Sequence, residues 1–358
     1  MKSKYKPINK NSEKCVKYLT KIHGISANHP YITIPENVFY DNNLKLGDAV
    51  FIKIKQNNKV YPVIAHLTTG AHVKLVCVPK LILKKSQLKS NKEIETEIVI
   101  NQEIKKEDSI KRIDLISLDL DKISRFIHED KLYVRYKSRK TRQHFVKRFI
   151  EINRELAYIV GLYDAEGAEK SFRFTNSDPK LIKTFLNAIK NIFGLTESEF
   201  DAQITLVNKN MESEHARLFW SNLFPNINIY EKASFKYGEG IKQGSLSVLI
   251  NTTTMNSIWN SIREKVRELL RNNKDLSAAY ISGVLDGDGN VHKNKSLEVR
   301  CAFDSNKGHL NFAKALENLK IDYEVTIIAD MHLIEVAIRK WNNIIRLFNN
   351  NAIFKNNI

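Results

Sequence analysis

Apolar residues recur at two different spacings along this chain, and each spacing predicts a different kind of element. In roughly the first hundred residues, short alternating runs such as AVFIKI predict β-strands separated by polar turns. Beyond about residue 150 the apolar positions follow a helical period, and DPKLIKTFLNAIKNIFG is typical of an amphipathic helix with an Asp-Pro start and a Gly stop. We therefore expect a small, mainly β domain at residues 1–100 and a larger α+β region at residues 151–358.

The β region contains an internal repeat. Ile32–Ile54 aligns without a gap on Val76–Ile98, so that Pro35 falls on Pro79. Each copy predicts a short strand, a helical turn, a polar turn and a longer alternating strand. The pattern resembles AbrB-like swapped-hairpin domains, which implies a duplicated hairpin module that binds DNA. A small β-barrel with a repeated hairpin is the alternative.

The net charge favours a polyanionic partner. Lys and Arg number 57 against 40 Asp and Glu, which gives a formal charge of +17, so nucleic acid is favoured over an anionic membrane surface. Residues 101–150 are predicted as a charged linker, and RYKSRKTRQHFVKR within them is either a solvated face or an arm that contacts phosphates. No apolar run is long enough to span a membrane, no secretory signal is present, and the cysteines are scattered. We expect a cytoplasmic protein without a membrane partner.

The α+β region divides into two similar halves, 151–274 and 275–358. Each half predicts the order α-β-β-α-β-β-α, and the first carries an added segment near MESEHARLFWSNLFPNI. Each half begins with a run of small residues spaced four apart, which places them on one helix face: Ala157, Gly161 and Ala165 in LAYIVGLYDAEG, and Ala279, Gly283 and Gly287 in AAYISGVLDGDG. Because small residues let backbones approach closely, the two helices are predicted to pack against each other.

Both runs end in acids, where the helix dipole disfavours them. Glu166 and Asp288 would come together at the same end of the helix pair and repel each other. Divalent cations would relieve this repulsion, and carboxylate oxygens suit Mg²⁺. Asp164 and Asp286 are interpreted as capping or positional residues.

IVGLYDAEG (Ile159–Gly167) and ISGVLDGDG (Ile281–Gly289) look like two copies of the LAGLIDADG motif of homing endonucleases. The resemblance implies two pseudo-symmetric halves that form a DNA-binding saddle over the major groove. It also implies that Glu166 and Asp288 hold the metal and act in phosphodiester hydrolysis, with the carbonyls of Ala165 and Gly287 in the metal shell. A basic residue near the attacking water is expected as well; the candidates are Lys340 or Arg339 in the second half and Lys236 or Lys242 in the first.

These patterns predict a site-specific endonuclease that cleaves double-stranded DNA with Mg²⁺ or another divalent cation. We expect a monomer in which the two halves take the place of two subunits. The alternative is a non-catalytic nucleic-acid-binding protein on the same fold, either an intron maturase or a transcriptional regulator. Retention of both acids favours the enzyme, because a pure binder has no use for two carboxylates that converge near a phosphate.

Overall fold

The chain folds into two compact units in a computed structural model. The first unit is Met1–Glu107, Ile116–Arg148 and Thr252–Thr254, and the second is Asp108–Leu115, Phe149–Asn251 and Met255–Ile358. The structure describes residues 8–10, 13–25, 31–33, 49–56, 59–68, 75–80, 83–84, 89, 93–101, 109, 111–129, 131–137, 142–206, 213–235, 243–250, 252–292, 298–303, 306–328 and 333–352.

The elements make a mixed α+β protein. The strands are β1 Ile8–Lys10, β2 Glu13–Ile25, β3 Tyr31–Thr33, β4 Ala49–Gln56, β5 Lys59–Thr68, β6 Leu75–Pro79, β7 Glu93–Asn101, β8 Arg112–Asp114, β9 Ile123–His128, β10 Lys131–Tyr136, β11 His144–Lys147, β12 Phe149–Glu151, β13 Arg173–Asn176, β14 Asp201–Leu206, β15 Asn228–Phe235, β16 Ser245–Leu249, β17 Gly289–His292, β18 Glu298–Phe303, β19 Glu324–Ile328 and β20 Leu333–Ile338. The helices are α1 Arg154–Glu166, α2 Pro179–Phe193, α3 Ser213–Leu223, α4 Thr253–Leu269, α5 Lys274–Asp288, α6 Asn306–Asn318 and α7 Trp341–Asn349.

The first unit is built on a closed barrel. Strands follow the order β2-β6-β3-β5-β4-β7, and β7 pairs again with β2, so this ring of strands has no open edge. Side chains that alternate along the strands, including Ile52, Val63 and Ile98, fill its interior. The pattern of short alternating runs is thus realised as a barrel with an apolar centre.

The sequence repeat is visible in the strand pairing of this barrel. Ile32 pairs with Val76 across β3 and β6, and Lys53 pairs with Glu97 across β4 and β7. In both cases the partners are equivalent residues of the two copies. Antiparallel pairing of equivalent residues is what a local two-fold axis produces, and it confirms the short and the long strand predicted in each copy. The likeness to AbrB-like domains stays a prediction.

The segment predicted as a charged linker contains a sheet. Strands β9, β10 and β11 form an antiparallel sheet in the order β11-β10-β9, and Phe126 and Tyr133 pack on Phe51 from the barrel. The prediction missed these strands because they are short and charged residues interrupt their apolar runs, as in KLYVRY. Arg135 of the basic run is fully buried and donates a 2.8 Å hydrogen bond to the carbonyl of Ile64, so it is a structural residue.

The second unit contains two α+β halves, each with its own four-stranded sheet. In the second half the order α5-β17-β18-α6-β19-β20-α7 matches the predicted α-β-β-α-β-β-α, and its strands lie in the order β17-β18-β20-β19. In the first half the sheet order is β13-β16-β14-β15. The segment Ser213–Phe235 supplies α3 and the added edge strand β15, which pairs in parallel with β14, as expected for the longer half.

The first half departs from the predicted order because only one strand, β13, lies between α1 and α2. The missing strand is reduced to one isolated bridge between Gly167 and Phe174. The loop that replaces it wraps around the Tyr163 hydroxyl, which lies 2.9 and 2.7 Å from the carbonyls of Ala168 and Ser171 and accepts from the N–H of Arg173. These backbone groups are therefore satisfied without a strand.

Candidate functional site

Helices α1 and α5 pack with their backbones in contact. A Cβ built on Gly161 would lie 2.1 Å from the carbonyl oxygen of Tyr280, and one built on Gly283 would lie 2.0 Å from that of Tyr158. Real Cβ atoms never approach an oxygen so closely, so only glycine fits at either position. The two contacts are reciprocal, because Gly161 and Gly283 hold equivalent positions in the two runs, and so do Tyr158 and Tyr280. The predicted close packing of the small-residue faces is confirmed.

Gly161→Ala or Gly283→Ala is expected to destabilise the protein by about 1–3 kcal/mol, because the added methyl group must push two backbones apart. This loss opposes the gain of about 1 kcal/mol that alanine brings to a helix interior. Gly308→Ala on α6 is the matched control, since the three atoms nearest to a Cβ there belong to the Phe303 ring, the closest at 3.0 Å, and not to a backbone. Urea unfolding of the three variants checks the prediction; increased stability of Gly283→Ala would contradict it.

The tyrosines of the two runs tie each helix to the acid of the other. Tyr158 of α1 donates a 2.8 Å hydrogen bond to Asp286 of α5, and Tyr280 of α5 donates one of 2.8 Å to Asp164 of α1. Burial and the facing carboxylate raise the pKa of both phenols, so both remain donors at neutral pH. This reciprocal pairing supports a positional role for Asp164 and Asp286.

The ends of the two runs meet at the acids. A Cβ on Gly287 would lie 2.6 Å from Ala165 Cβ and 3.2 Å from Glu166 Cγ, so Gly287 packs directly against the end of α1. Asp288 is close enough to Glu166 for its charge to raise the pKa of that carboxyl. The structure thus brings together Glu166, Ala165, Gly287 and Asp288, the residues that the LAGLIDADG resemblance implied for a metal site.

The two acids lie in different surroundings. Burial is the larger cause of a rise in the pKa of Glu166 from 4.5 to about 7, and the charge of Asp288 adds to it. A 2.7 Å hydrogen bond from Asn176 Nδ2 to Glu166 Oε1 opposes this rise. Asp288 is exposed at the last position of α5. Within the described part of the chain, no positive group contributes to the pKa of Glu166, and its carboxyl is only partly ionised at neutral pH.

This donor set fits a hard divalent cation. A cation would bring positive charge to the two carboxylates, and Mg²⁺ commonly uses one or two carboxylates together with water and substrate phosphates. The carbonyls of Ala165 and Gly287 belong to the last turns of their helices, where no intrahelical donor remains for them. Among the described residues no cluster of three or more His, Cys, Asp or Glu side chains forms a denser site.

The raised pKa of Glu166 predicts a stability that falls with pH when metal is absent. Between pH 4.5 and about 7 the folded protein binds a proton at Glu166 that the unfolded chain has lost, so the unfolding free energy decreases as pH rises through this window. The full shift corresponds to about 3 kcal/mol, and residual exposure makes a loss of about 2 kcal/mol the expected size.

Urea unfolding in EDTA at pH 5 and pH 8 measures this loss. Between pH 5 and pH 8 the unfolding free energy of the wild-type protein should fall more than that of Glu166→Gln. At pH 8, Mg²⁺ should restore the lost stability only in the wild type. Glu155→Gln, at an exposed acid in the first turn of the same helix, serves as control. Equal pH dependence of wild type and Glu166→Gln would contradict the assignment.

The basic candidates lie just after β20 or outside the described residues. Lys340 is the N-cap residue of α7, with φ 68° and an exposed side chain. Arg339 is paired with Glu298 and Glu324. Lys236 and Lys242 lie outside the described residues, and a catalytic role for any of these residues stays a prediction.

One face of the first sheet carries mainly hydroxyl and amide groups. On it Thr175 shares a 2.7 Å hydrogen bond across β13 and β16 with Ser247, which is only 4% exposed. On the same face, Gln203 of β14 pairs with Ser247 on one side and with Tyr230 of β15 on the other, and Tyr230 is 47% exposed. The opposite face holds Ala202 and other buried apolar residues. This face offers mainly uncharged donors and acceptors.

The exposed face of the second sheet is charged instead. Arg300 of β18 contacts Glu298 at 2.5 Å and Glu335 of β20 at 3.3 Å, and Arg339 contacts Glu298 at 3.3 Å and Glu324 of β19. The ion pairs hold both guanidinium groups in place on an accessible surface. The two sheets therefore present different hydrogen-bonding chemistry.

Two features of the site were missed in the sequence. The tyrosine pairs could have been found, because Tyr158 and Tyr280 hold the same place in the two runs. Asn176 carried no such signal, since TNSDP is typical of a helix start. Its contact with Glu166 depends on how β13 lies beside α1, which no local pattern reveals.

Comparison with known proteins finds similarity to solved structures alone. No protein-family model matches the chain, and no similar sequence was found among curated proteins. The N-terminal LAGLIDADG domain of DUF199/WhiA covers 56% of this chain and 84% of its own length, at 9% identity and a TM-score of 0.36. I-DmoI in complex with DNA and Ca covers 55% and 87%, at 14% identity and a TM-score of 0.34.

A third similar structure is the computationally designed msDPBB_sym2 protein, which covers 22% of this chain and 95% of its own length, at 16% identity and a TM-score of 0.18. At such identities and scores, no function can be transferred from any of these proteins. Among the described residues, no helix has the length and apolar character needed to cross a membrane.

Proposed function

We propose that this protein is a site-specific endonuclease that binds double-stranded DNA and hydrolyses phosphodiester bonds with Mg²⁺ or a similar divalent cation. The observation that carries the proposal is the convergence of Glu166 and Asp288 at the ends of two helices whose backbones touch. This placement costs folding stability, since each acid lies at the negative end of a helix dipole and near a like charge. A bound cation would offset the repulsion between the two acids, so the same arrangement can serve as a cation-binding site.

Each part of the site has a role in the proposed reaction. Glu166 and Asp288 would hold the cation together with the carbonyls of Ala165 and Gly287. When bound, the cation supplies Lewis-acid stabilisation of negative charge on the phosphate. The glycine contacts keep the two acids at a constant separation, and the tyrosine–aspartate pairs prevent the helices from sliding.

The two sheets are proposed to form the saddle that contacts the DNA grooves. Their exposed faces differ, and this difference predicts a target without palindromic symmetry. Hydroxyl and amide side chains can hydrogen-bond to more than one kind of base. Arginine prefers guanine, and glutamate accepts a hydrogen bond from the amino group of cytosine. The net charge of +17 favours the backbone contacts that supply affinity. We propose that residues 1–100 add a second DNA contact.

The experiment that tests DNA recognition is a selection of bound duplexes from a randomised pool in EDTA, followed by sequencing. We expect one enriched sequence whose two halves differ in base composition, and binding that weakens steeply with salt. Enrichment of a palindrome would contradict the assignment of the two sheet faces. A lack of any enrichment would contradict site-specific recognition as a whole.

A further inference from the structure

Asn176 is held by the backbone in one orientation. Its Oδ1 accepts a 2.7 Å hydrogen bond from the N–H of Asp178, and its Nδ2 donates a 2.7 Å hydrogen bond to Glu166 Oε1. A backbone N–H can only donate, so the oxygen of the amide must face Asp178. The amide NH₂ group is thereby directed at the carboxylate.

The position of Asn176 in the fold is equally restricted. It is the last residue of β13, where it pairs with Leu246 of β16. Asp178, whose N–H it binds, is the N-cap of α2 and accepts from the N–H of Lys180. A strand end on one side and a helix start on the other therefore position the side chain that contacts Glu166.

The two halves differ at the position of Asn176. Gly167 faces Phe174 in the first half, and Gly289 faces Cys301 in the second, so the equivalent residue is Phe303. Phe303 is buried in the apolar core and has no donor to offer. Asp288, the counterpart of Glu166, is exposed.

We propose that Asn176 is a positioning residue that holds Glu166 ready for a divalent cation. The inference rests on the proposed function, because it assumes that these acids bind the cation. Outer hydrogen bonds orient metal-binding carboxylates and strengthen their affinity. Loss of Asn176 should therefore weaken cation affinity through Glu166.

The test is a titration of the full chain with Mn²⁺, followed by electron paramagnetic resonance of the free ion. Asn176→Ser keeps an oxygen that can accept from the N–H of Asp178, but its side chain is too short to reach Glu166. We expect the affinity for Mn²⁺ to fall about tenfold. Asn226→Ser is the matched control, since it removes an Asn–Glu hydrogen bond of 2.8 Å to Glu197 on the exposed surface.

A second comparison separates positioning from a general structural effect. In a Glu166→Gln background, Asn176→Ser should change Mn²⁺ affinity no further, whereas in an Asp288→Asn background the tenfold loss should remain. Equal Mn²⁺ affinity of wild type and Asn176→Ser would overturn the positioning role alone, as would an equal loss in both backgrounds. Failure of the wild type to bind Mn²⁺ would overturn the proposed metal site and the positioning role with it.

Discussion

Glu166→Gln and Asp288→Asn should each reduce the rate of DNA cleavage by more than about 100-fold, which exceeds the usual effect of losing only an outer hydrogen bond to a metal ligand. Each substitution keeps the size of the side chain but removes a negative oxygen. Binding of the selected duplex in EDTA should be unchanged or slightly tighter, because a negative charge next to phosphate is lost. Cleavage of a labelled duplex, followed over a range of Mg²⁺ concentrations, separates weaker metal binding from slower chemistry.

Glu169→Gln is the control for this experiment, since Glu169 is an exposed acid shortly after the first motif. It should cleave at the wild-type rate. Full cleavage by both Glu166→Gln and Asp288→Asn would remove these acids from the mechanism. Loss of DNA binding together with cleavage would instead indicate that the acids maintain the fold.

Asp164→Asn should cost about 3–5 kcal/mol of unfolding free energy, the range found when one partner of a buried ion pair is removed. The side chain of Asp164 is 1% exposed and accepts hydrogen bonds from Arg263, Arg267 and Tyr280. Asparagine leaves both guanidinium groups, 9% and 12% exposed, without their buried counter-charge.

Chemical denaturation of Asp164→Asn and Glu264→Gln measures this effect against a control on the same arginine. Glu264 contacts Arg267 at 2.6 Å but is 65% exposed, so its loss should cost less than about 1 kcal/mol. A loss below about 1 kcal/mol for Asp164→Asn would show that the buried network does not stabilise the helix pair.

The parts of this structure that follow a local period could be predicted from the sequence. The spacing of Gly161 and Gly283 within their runs indicated a close helix pair, and the acids at the ends of those runs had to lie at its end. The repeat of Ile32–Ile54 in Val76–Ile98 likewise predicted a short and a longer strand in each copy. A period in the sequence involves only residues close together along the chain, so it can be recognised before the fold is known.

The parts that depend on distant segments could not be predicted. Asn176 reaches Glu166 only because β13 lies beside the end of α1. The first half lacks a strand because the Tyr163 hydroxyl binds the loop that follows its own helix. The sheet of β9 to β11 was not predicted because its apolar residues, such as Phe126, are buried against side chains of the barrel. Those side chains are distant in the sequence, so no local pattern indicates the contact.

The measurement that tests the central claim most directly is incubation of the wild-type protein with a randomised duplex library in Mg²⁺, followed by sequencing of the DNA ends. We predict that one sequence is recovered with both strands cut at constant positions, and that no cut ends are recovered in EDTA. If the same sequence is enriched as bound DNA but stays intact in Mg²⁺, the protein is a non-catalytic DNA-binding protein, and the assignment of Glu166 and Asp288 to catalysis is contradicted.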